Sequence, residues 1–279
     1  MLKGSPDSGL SVSGVTVQFG GLRALEDVTL SVPPRSVVGL VGPNGAGKTT
    51  LFNVVSGFVR PSAGQLTWDG HPFHPKPRRL VRQGIARTLQ DVGLFPHLTA
   101  VENVMLGRTT QRRAGYVSSL LGLPGSARDE RESRRISTEG LDRLGVAQHA
   151  ERQASALPYP VQKRVALARA LVTRPRLLLL DEPAGGLGAE DFEPLAELVK
   201  SLPGDPDSPC SVLLVEHHMD FVMGVCDQVV VLDFGRLVAA GTPSEIQSDP
   251  AVAAAYLGID PTDIEVDAGT AVTLTEEPA

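Results

Sequence analysis

Residues 42–50 read GPNGAGKTT and follow the apolar run 36–41, SVVGLV. They fill the pattern G-x-x-x-x-G-K-[ST], with Lys48 and Thr49 at its last two fixed positions. Small residues let successive backbone N–H groups turn toward phosphate oxygens, and a helix that begins near Lys48 points its positive end at the same charge. The alternative is a glycine-rich turn without a ligand, which a full match behind an apolar strand disfavours. The segment predicts a phosphate-binding loop in which Lys48 contacts the β and γ phosphates and Thr49 binds magnesium.

A second apolar run, residues 176–182 with the sequence RLLLLDE, ends in two acids. Such a run is typical of a strand buried on both faces of a parallel sheet, whose carboxyl end is where these sheets bind ligands. Asp181 is predicted to hold magnesium, directly or through water, and Glu182 to orient or activate an attacking water. The alternative is an ordinary strand end with two chance acids, which a neighbouring phosphate loop makes a poor explanation.

The remaining pattern predicts an α/β fold. Alternating residues 12–32 predict antiparallel strands that turn at Gly20 and Gly21. Further strands are predicted at 65–68, 84–90, 176–182, 211–215, 229–232 and 236–239. Helices are predicted at 48–58, 99–106, 136–144, 161–173 and 190–201, and short helices follow a turn within 241–256. Residues 108–135 are predicted to be an irregular surface segment of a helical subdomain that spans about 90–174.

The helix at 99–106 carries a start signal of its own. Thr99 stands three residues before Glu102, which is the spacing of a capping box.

Composition favours a soluble globular protein, with 42% hydrophobic and 21% charged residues among 279. No apolar run approaches the roughly 20 residues of a membrane helix, and the first residues lack the apolar core of a signal peptide. We therefore expect a cytosolic chain. Cys210 and Cys226 fit that compartment and are predicted to be plain thiols.

The formal charge of -6 belongs to the end of the chain, not to its body. Six of the 32 acids and none of the 26 basic residues lie in 260–279, so residues 1–259 are balanced. A neutral body offers no general electrostatic footprint for nucleic acid, and we expect no such partner. The acidic end is predicted to be disordered.

Two aromatic or histidine-bearing segments leave alternatives open. Phe19 stands beside the predicted turn, where an aromatic ring either stacks on adenine or belongs to the core, and the residues alone favour the core. The proline-rich segment 71–77 contains two histidines, which suit a plain surface loop better than a metal site because no acid or cysteine accompanies them.

Five elements in this order resemble the nucleotide-binding subunits of ABC transporters: the phosphate loop, Gln90, a signature region near Leu157, RLLLLDEP and His217. The resemblance covers about residues 12–258. The chain most resembles the ATPase of branched-chain amino acid importers. That family has sequence motifs similar to RTLQ at 87–90, PAGGLGAED at 183–191, LLVEHHMDFVM at 213–223 and GTPSEIQSDPAVAAAYLG at 241–258.

This resemblance implies a P-loop NTPase of the ABC ATPase type. Its core has a mostly parallel sheet, joined by an N-terminal antiparallel β subdomain and a helical subdomain. The ATPase domain would span 12–258, between a flexible N-terminus at 1–11 and the acidic disordered tail at 259–279.

The resemblance also implies residue roles. Phe19 would stack on adenine, and His217 would contact the γ-phosphate. Catalysis would fall to Glu182, His217 and Lys48, and magnesium would be bound by Thr49, Gln90 and Asp181. The nucleotide-binding residues would be Phe19, Gly42, Pro43, Asn44, Gly45, Ala46, Gly47, Lys48, Thr49, Thr50 and Gln90. His218 stands where the family commonly has an acid, and it receives no role.

The signature segment departs from the family. Residues 157–162 read LPYPVQ where relatives show wording like LSGGQ or LSYGQ, so Pro158 replaces the serine, Pro160 the second glycine and Val161 the glutamine. Neither proline can donate a backbone hydrogen bond or offer a hydroxyl to the γ-phosphate on the partner subunit. If each lost contact is worth about 1.5–3 kcal/mol, the loss of both weakens the site on the order of a hundredfold or more. Gly188, where many relatives have an acid or amide, is a smaller deviation.

The resemblance implies a function for the chain as a whole. It would bind and hydrolyse ATP with magnesium to energise a membrane ABC transporter, an importer of branched-chain amino acids or related small polar compounds. Its partners would be permease subunits, a second and different ATPase subunit, and indirectly a substrate-binding protein, with the chain at the cytoplasmic face of the membrane. The alternatives are a regulatory ATP-binding subunit with little turnover, a non-transport ABC ATPase, and a transporter with another cargo.

Overall fold

The computed structural model describes residues 9–88, 92–109 and 124–257. Gln90 lies outside the described residues. The strands are β1 (Leu10–Phe19), β2 (Leu22–Val32), β3 (Val37–Val41), β4 (Ala63–Trp68), β5 (His71–Pro72), β6 (Ile85–Arg87), β7 (Leu177–Asp181), β8 (Ser211–Val215), β9 (Gln228–Asp233) and β10 (Arg236–Gly241). The helices are α1 (Lys48–Val55), α2 (Ala100–Gly107), α3 (Pro124–Arg143), α4 (Tyr159–Leu171), α5 (Ala189–Ser201), α6 (Met219–Val225), α7 (Pro243–Gln247) and α8 (Pro250–Leu257).

A six-stranded sheet in the order β10-β9-β3-β8-β7-β6 forms the centre of the molecule. All neighbours pair in parallel except β10, which lies antiparallel to β9 at one edge. In β7, Leu178 and Leu180 face one hydrophobic core while Leu177 and Leu179 face the other. Burial on both faces explains the uninterrupted apolar runs, and the predicted mostly parallel core sheet is confirmed.

The second sheet is antiparallel, in the order β2-β1-β4-β5, and it confirms the predicted N-terminal β layer. Its turn lies at Gly20 and Gly21, as predicted, and β1 begins at Leu10. Its apolar face packs with α1 against one side of the central sheet. This layer therefore brings β2 close to the segment that follows β3.

The helices α2, α3 and α4 pack against one another and supply the other hydrophobic core. Thr99 is the N-cap of α2, where its hydroxyl accepts from the Glu102 amide and the Glu102 carboxylate accepts from the Thr99 amide. The predicted capping box is confirmed.

The expectation of an irregular chain up to residue 135 is wrong for the described part, because α3 begins at Pro124. Ser133, Ser137 and Leu141 are buried at spacings of four residues, so α3 has an inner face that polar residues conceal in the sequence. On its outer face, Arg135 pairs with glutamates three residues before it and four after it, which stabilises a helix.

Smaller differences concern helix boundaries. Helix α1 ends at Val55, before the predicted residue 58, because Gly57 takes a left-handed conformation with φ of 76°. Helix α4 begins at Tyr159, two residues earlier than predicted. Helix α6 was not predicted.

No described helix is both long and apolar enough to cross a membrane. Cys210 and Cys226 are free thiols, as predicted, and both are buried.

Candidate functional site

The loop between β3 and α1 is shaped by its glycines. Gly42, Gly45 and Gly47 have φ values of 145°, 84° and 99°, which L side chains rarely adopt. A Cβ at Gly42 would lie 2.0 Å from the Leu232 carbonyl oxygen, and one at Gly47 would lie 2.8 Å from the Ala24 carbonyl oxygen. Backbone packing therefore demands glycine at both positions of the sequence pattern.

Lys48 is the first residue of α1, and its ammonium group folds back over the loop. Its Nζ donates to the carbonyl oxygens of Gly42 at 2.5 Å and Pro43 at 2.8 Å. Burial lowers the pKa of Lys48, and the negative charge of Glu182 opposes that shift. A cation thus lies at the mouth of the loop, with Thr49 exposed beside it and Thr50 half-buried.

Asp181, the last residue of β7, is buried and paired with Arg87 at the end of the neighbouring β6. Arg87 Nη2 donates to Asp181 Oδ2 at 3.0 Å, and Arg87 Nη1 donates to Asn53 Oδ1 at 2.8 Å and Ser56 Oγ at 3.0 Å. Burial raises the pKa of Asp181, and the Arg87 guanidinium lowers it. The ion pair ties the end of the central sheet to α1.

Glu182 follows directly and adopts a positive φ of 46°, which is uncommon for a residue other than glycine. Its amide donates to the Val215 carbonyl oxygen at 2.9 Å, so the turn is fixed to the end of β8. Its carboxylate Oε1 lies 4.0 Å from His217 Nδ1. Backbone strain of this kind clusters at functional sites.

Glu216 directly follows β8, and its carboxylate is fully buried. Its Oε1 accepts from the Ala184 amide at 2.7 Å, while Oε2 accepts from the amides of His217 at 2.9 Å and His218 at 3.2 Å. This one carboxylate joins the segment after Glu182 to the segment that carries His217.

Lys163 on α4 holds the same segment from the other side. Its Nζ donates to the carbonyl oxygens of Glu182 at 2.9 Å and Pro183 at 3.1 Å, and also to that of Gly185. Burial lowers the pKa of Lys163, and the charges of Glu216 and Glu182 oppose that shift. The start of α4 is thereby coupled to the residues that follow β7.

The signature segment forms the N-terminus of α4. Pro158 is the N-cap and Pro160 occupies the second helical position, so neither contributes an N–H group to the free helix end. Tyr159 between them is 43% exposed, and Lys163 Nζ lies 5.4 Å from the centre of its ring.

The loop, Lys48, Asp181, Glu182 and His217 lie together at the carboxyl ends of the central strands, because β3, β8 and β7 are neighbours in the sheet. Phe19 ends β1 and is 51% exposed, which disfavours the alternative that it belongs to the core. Gln90 cannot be placed, because it lies outside the described residues.

Sequence reasoning missed three site residues: Arg87, Lys163 and Glu216. Glu216 had a signal, since an acid at the end of an apolar strand beside two histidines is uncommon in a core. Lys163 and Arg87 act through contacts 19 to 94 residues away, and nothing in their local pattern indicates them.

Comparison with known proteins agrees with this geometry. Residues 25–185 match the family model described as ABC transporter, and residues 236–260 match one described as branched-chain amino acid ATP-binding cassette transporter. The LivG high-affinity branched-chain amino acid transport ATP-binding protein of Salmonella typhimurium is 41% identical over 89% of this chain and 97% of that protein. The BraF protein of Pseudomonas aeruginosa, which has the same description, is 40% identical over the same shares.

Solved structures give the same answer. A nucleotide-free ATP-binding cassette from an ABC transporter superposes with a TM-score of 0.75 and 27% identity, over 88% of this chain and 98% of that one. The ADP conformation of an ATP-binding cassette of an ABC transporter gives 0.75 and 27%, over 89% and 98%. This chain belongs to the ABC transporter family, as one of its nucleotide-binding ATPase subunits.

Proposed function

We propose that this chain hydrolyses ATP to drive import of branched-chain amino acids or related small polar compounds. The observation that carries the proposal is the likeness to LivG and BraF over nearly their whole length, together with the match of residues 236–260. The permease and a substrate-binding protein would select the cargo. Proteoliposomes that contain this subunit and its permeases should therefore take up labelled leucine only when ATP is present on the side of the ATPase.

The residues of the site suit in-line attack of water on the γ-phosphate. Lys48 would leave the loop carbonyls to contact the β and γ phosphates, and the other loop residues would offer backbone N–H groups. Glu182 would orient and activate the water, with His217 at the γ-phosphate. Phe19 would stack on the adenine.

Magnesium suits the oxygen donors of this site, because hard cations prefer carboxylate and hydroxyl ligands. Thr49 and Asp181 would hold it, with Gln90 as a further ligand. Arg87 contacts Oδ2 of Asp181, which leaves Oδ1 for the ion or its water. When bound, magnesium neutralises phosphate charge.

We infer that the working assembly is a dimer of this chain with a different ATPase subunit. In such dimers each signature segment would complete the partner's site, and the two prolines leave this chain with a weak one. The loop of this chain would then be the active one, because the partner supplies an intact signature.

This assembly would place the chain at the cytoplasmic face of the membrane, bound to permease subunits. The domain would span residues 12–258, with a helical subdomain at about 90–174 that meets the permease near Gln90. Residues 1–11 and 259–279 would be flexible flanks.

The experiment measures ATPase activity of this chain alone, and mixed with a second subunit that has an intact signature. Activity only in the mixture, abolished by Glu182→Gln in this chain and retained with Glu197→Gln on the exposed face of α5, supports the proposal. Equal activity from this chain alone would contradict the mixed dimer.

A second candidate is a regulatory subunit that binds ATP with little turnover. The two prolines favour it, while intact Lys48, Asp181 and Glu182 favour hydrolysis. Slow turnover even in the mixture, together with tight ATP binding, would support regulation. A non-transport ABC ATPase is the third candidate, and failure to bind the permease would favour it.

A further inference from the structure

The residues directly after β8 bring one carboxylate and two imidazoles together. His218 Nδ1 lies 3.1 Å from Glu216 Oε2, and His217 Nδ1 lies 3.7 Å from the same oxygen. The ligand atoms of all three residues lie within 4.8 Å of one another. Within the described ranges, this is the only group of three or more histidine, cysteine or acidic residues that close together.

We propose that Glu216, His217 and His218 form a binding site for a divalent transition metal ion of the zinc class. The site uses neither of the predicted magnesium ligands Thr49 and Asp181. Its occupation blocks ATP hydrolysis. Metal binding stands by itself, whereas the effect on turnover rests on the function proposed for His217.

The spacing of the ligand atoms suits a tetrahedral ion. Bonds of about 2.0–2.1 Å to nitrogen and oxygen place neighbouring ligands roughly 3.4 Å apart. The two observed separations, 3.1 and 3.7 Å, lie on either side of that value. Two imidazole nitrogens with one carboxylate oxygen are ligands that zinc prefers, while magnesium prefers oxygen alone.

The surroundings already orient the carboxylate. Glu216 accepts backbone N–H groups from Ala184, His217 and His218, and such bonds fix the ligands of metal sites. Binding of the ion would replace the contact between His218 Nδ1 and Glu216 Oε2.

The two rings are also held in place. The His218 ring meets the edge of Phe192 at 5.4 Å between centroids, and the His217 ring lies 4.1 Å from the His218 ring. Little rearrangement is therefore needed to bring the second imidazole onto the ion.

Occupation would change the catalytic centre in two ways. His217, once bound to the ion, is no longer available to the γ-phosphate. The charge of the ion also lies near Glu182, because Glu182 Oε1 is 4.0 Å from His217 Nδ1. Attraction to the ion then holds the Glu182 carboxylate away from the attacking water. We therefore expect reversible inhibition that a chelator relieves.

The first test measures binding alone. Co²⁺ is titrated into the full-length, nucleotide-free protein, and the visible absorption of four-coordinate cobalt is followed, with Zn²⁺ added to displace it. His218→Asn should weaken cobalt binding by about tenfold or more, since even the loss of an outer-shell partner costs that much. The control is His74→Asn, which removes an exposed histidine from the proline-rich loop.

The second test measures the ATPase rate of the active assembly with magnesium in large excess, with and without added Zn²⁺. The rate of each variant with Zn²⁺ is compared with the rate of the same variant without it. Zn²⁺ should inhibit the wild type and His74→Asn, and His218→Asn should resist inhibition.

Cobalt binding that is absent, or unchanged by His218→Asn, overturns the site. Cobalt binding without zinc inhibition overturns the block of turnover. Absence of ATPase in every assembly contradicts the proposed function and leaves the cobalt result intact.

Discussion

Arg87 and Asp181 form an ion pair inside the protein, with Nη2 and Oδ2 3.0 Å apart and only 13% and 5% of the two side chains exposed. The guanidinium also packs over the rings of Phe52 and Phe58. Arg87 therefore joins a predicted magnesium ligand to the helix that follows the phosphate loop. The pair makes the site dependent on a residue that does not itself touch phosphate in the proposed mechanism.

Arg87→Met should destabilise the protein strongly. Removing one partner of a buried ion pair leaves an uncompensated charge, which costs about 3–5 kcal/mol. Arg176→Met is the matched control, because the pair of Arg176 with Asp69 is at the surface, and it should cost less than about 1 kcal/mol. Equal losses in urea denaturation of the nucleotide-free proteins would contradict a structural role for the buried pair.

The cost of Arg87→Met should also depend on pH. Burial raises the pKa of Asp181 above its ordinary value of 3.8, and loss of Arg87 removes the charge that opposes this rise. When a carboxyl group has a raised pKa in the folded state, the unfolded chain loses that proton at a lower pH than the folded chain does. The free energy of unfolding therefore falls as pH rises through the range above 3.8. The difference in unfolding free energy between wild type and variant should therefore be larger at neutral pH than near pH 4. A difference that is the same at both would contradict this assignment.

Repair of the signature should activate the chain by itself. Pro158→Ser/Pro160→Gly restores two backbone N–H groups and adds one hydroxyl at the free end of α4. The two predicted phosphate contacts are the new hydroxyl at position 158 and the new N–H group at position 160. Each of the two contacts to a charged phosphate is worth about 1.5–3 kcal/mol, so ATPase of the isolated chain should rise on the order of a hundredfold or more. Adding Glu182→Gln should remove the gain. No increase would mean that the prolines do not limit turnover.

Phe19→Ala should weaken ATP binding without loss of fold. Stacking of a base on an aromatic ring contributes about 1–3 kcal/mol, so the Kd for ATP should rise between about fivefold and 150-fold. Phe95→Ala removes another exposed ring, which precedes α2, and should leave the Kd unchanged. Isothermal titration of both variants decides whether the exposed position of Phe19 serves the nucleotide.

The central sheet could be predicted from sequence because β3, β7 and β8 are apolar on both faces, a pattern that few other elements share. The acids at the end of β7 followed from the same argument. Helix α3 could not, because its inner face contains the serines Ser133 and Ser137, and periodicity counts only apolar residues. The role of Lys163 could not be predicted either, because it binds backbone carbonyl groups. Every residue has such a group, so these contacts leave no pattern in the sequence. The predicted role of Gln90 stays a prediction.

The two buried thiols have a practical consequence for measurement. Burial raises the pKa of both Cys210 and Cys226 to about 12, so neither forms the reactive thiolate at neutral pH. We therefore expect the wild-type chain to react very slowly with maleimide dyes and thiol-specific spin labels. A single new cysteine, for example Tyr159→Cys at the exposed start of α4, would be labelled selectively. It would report in real time on the approach of a second subunit, without removal of any native residue from the core.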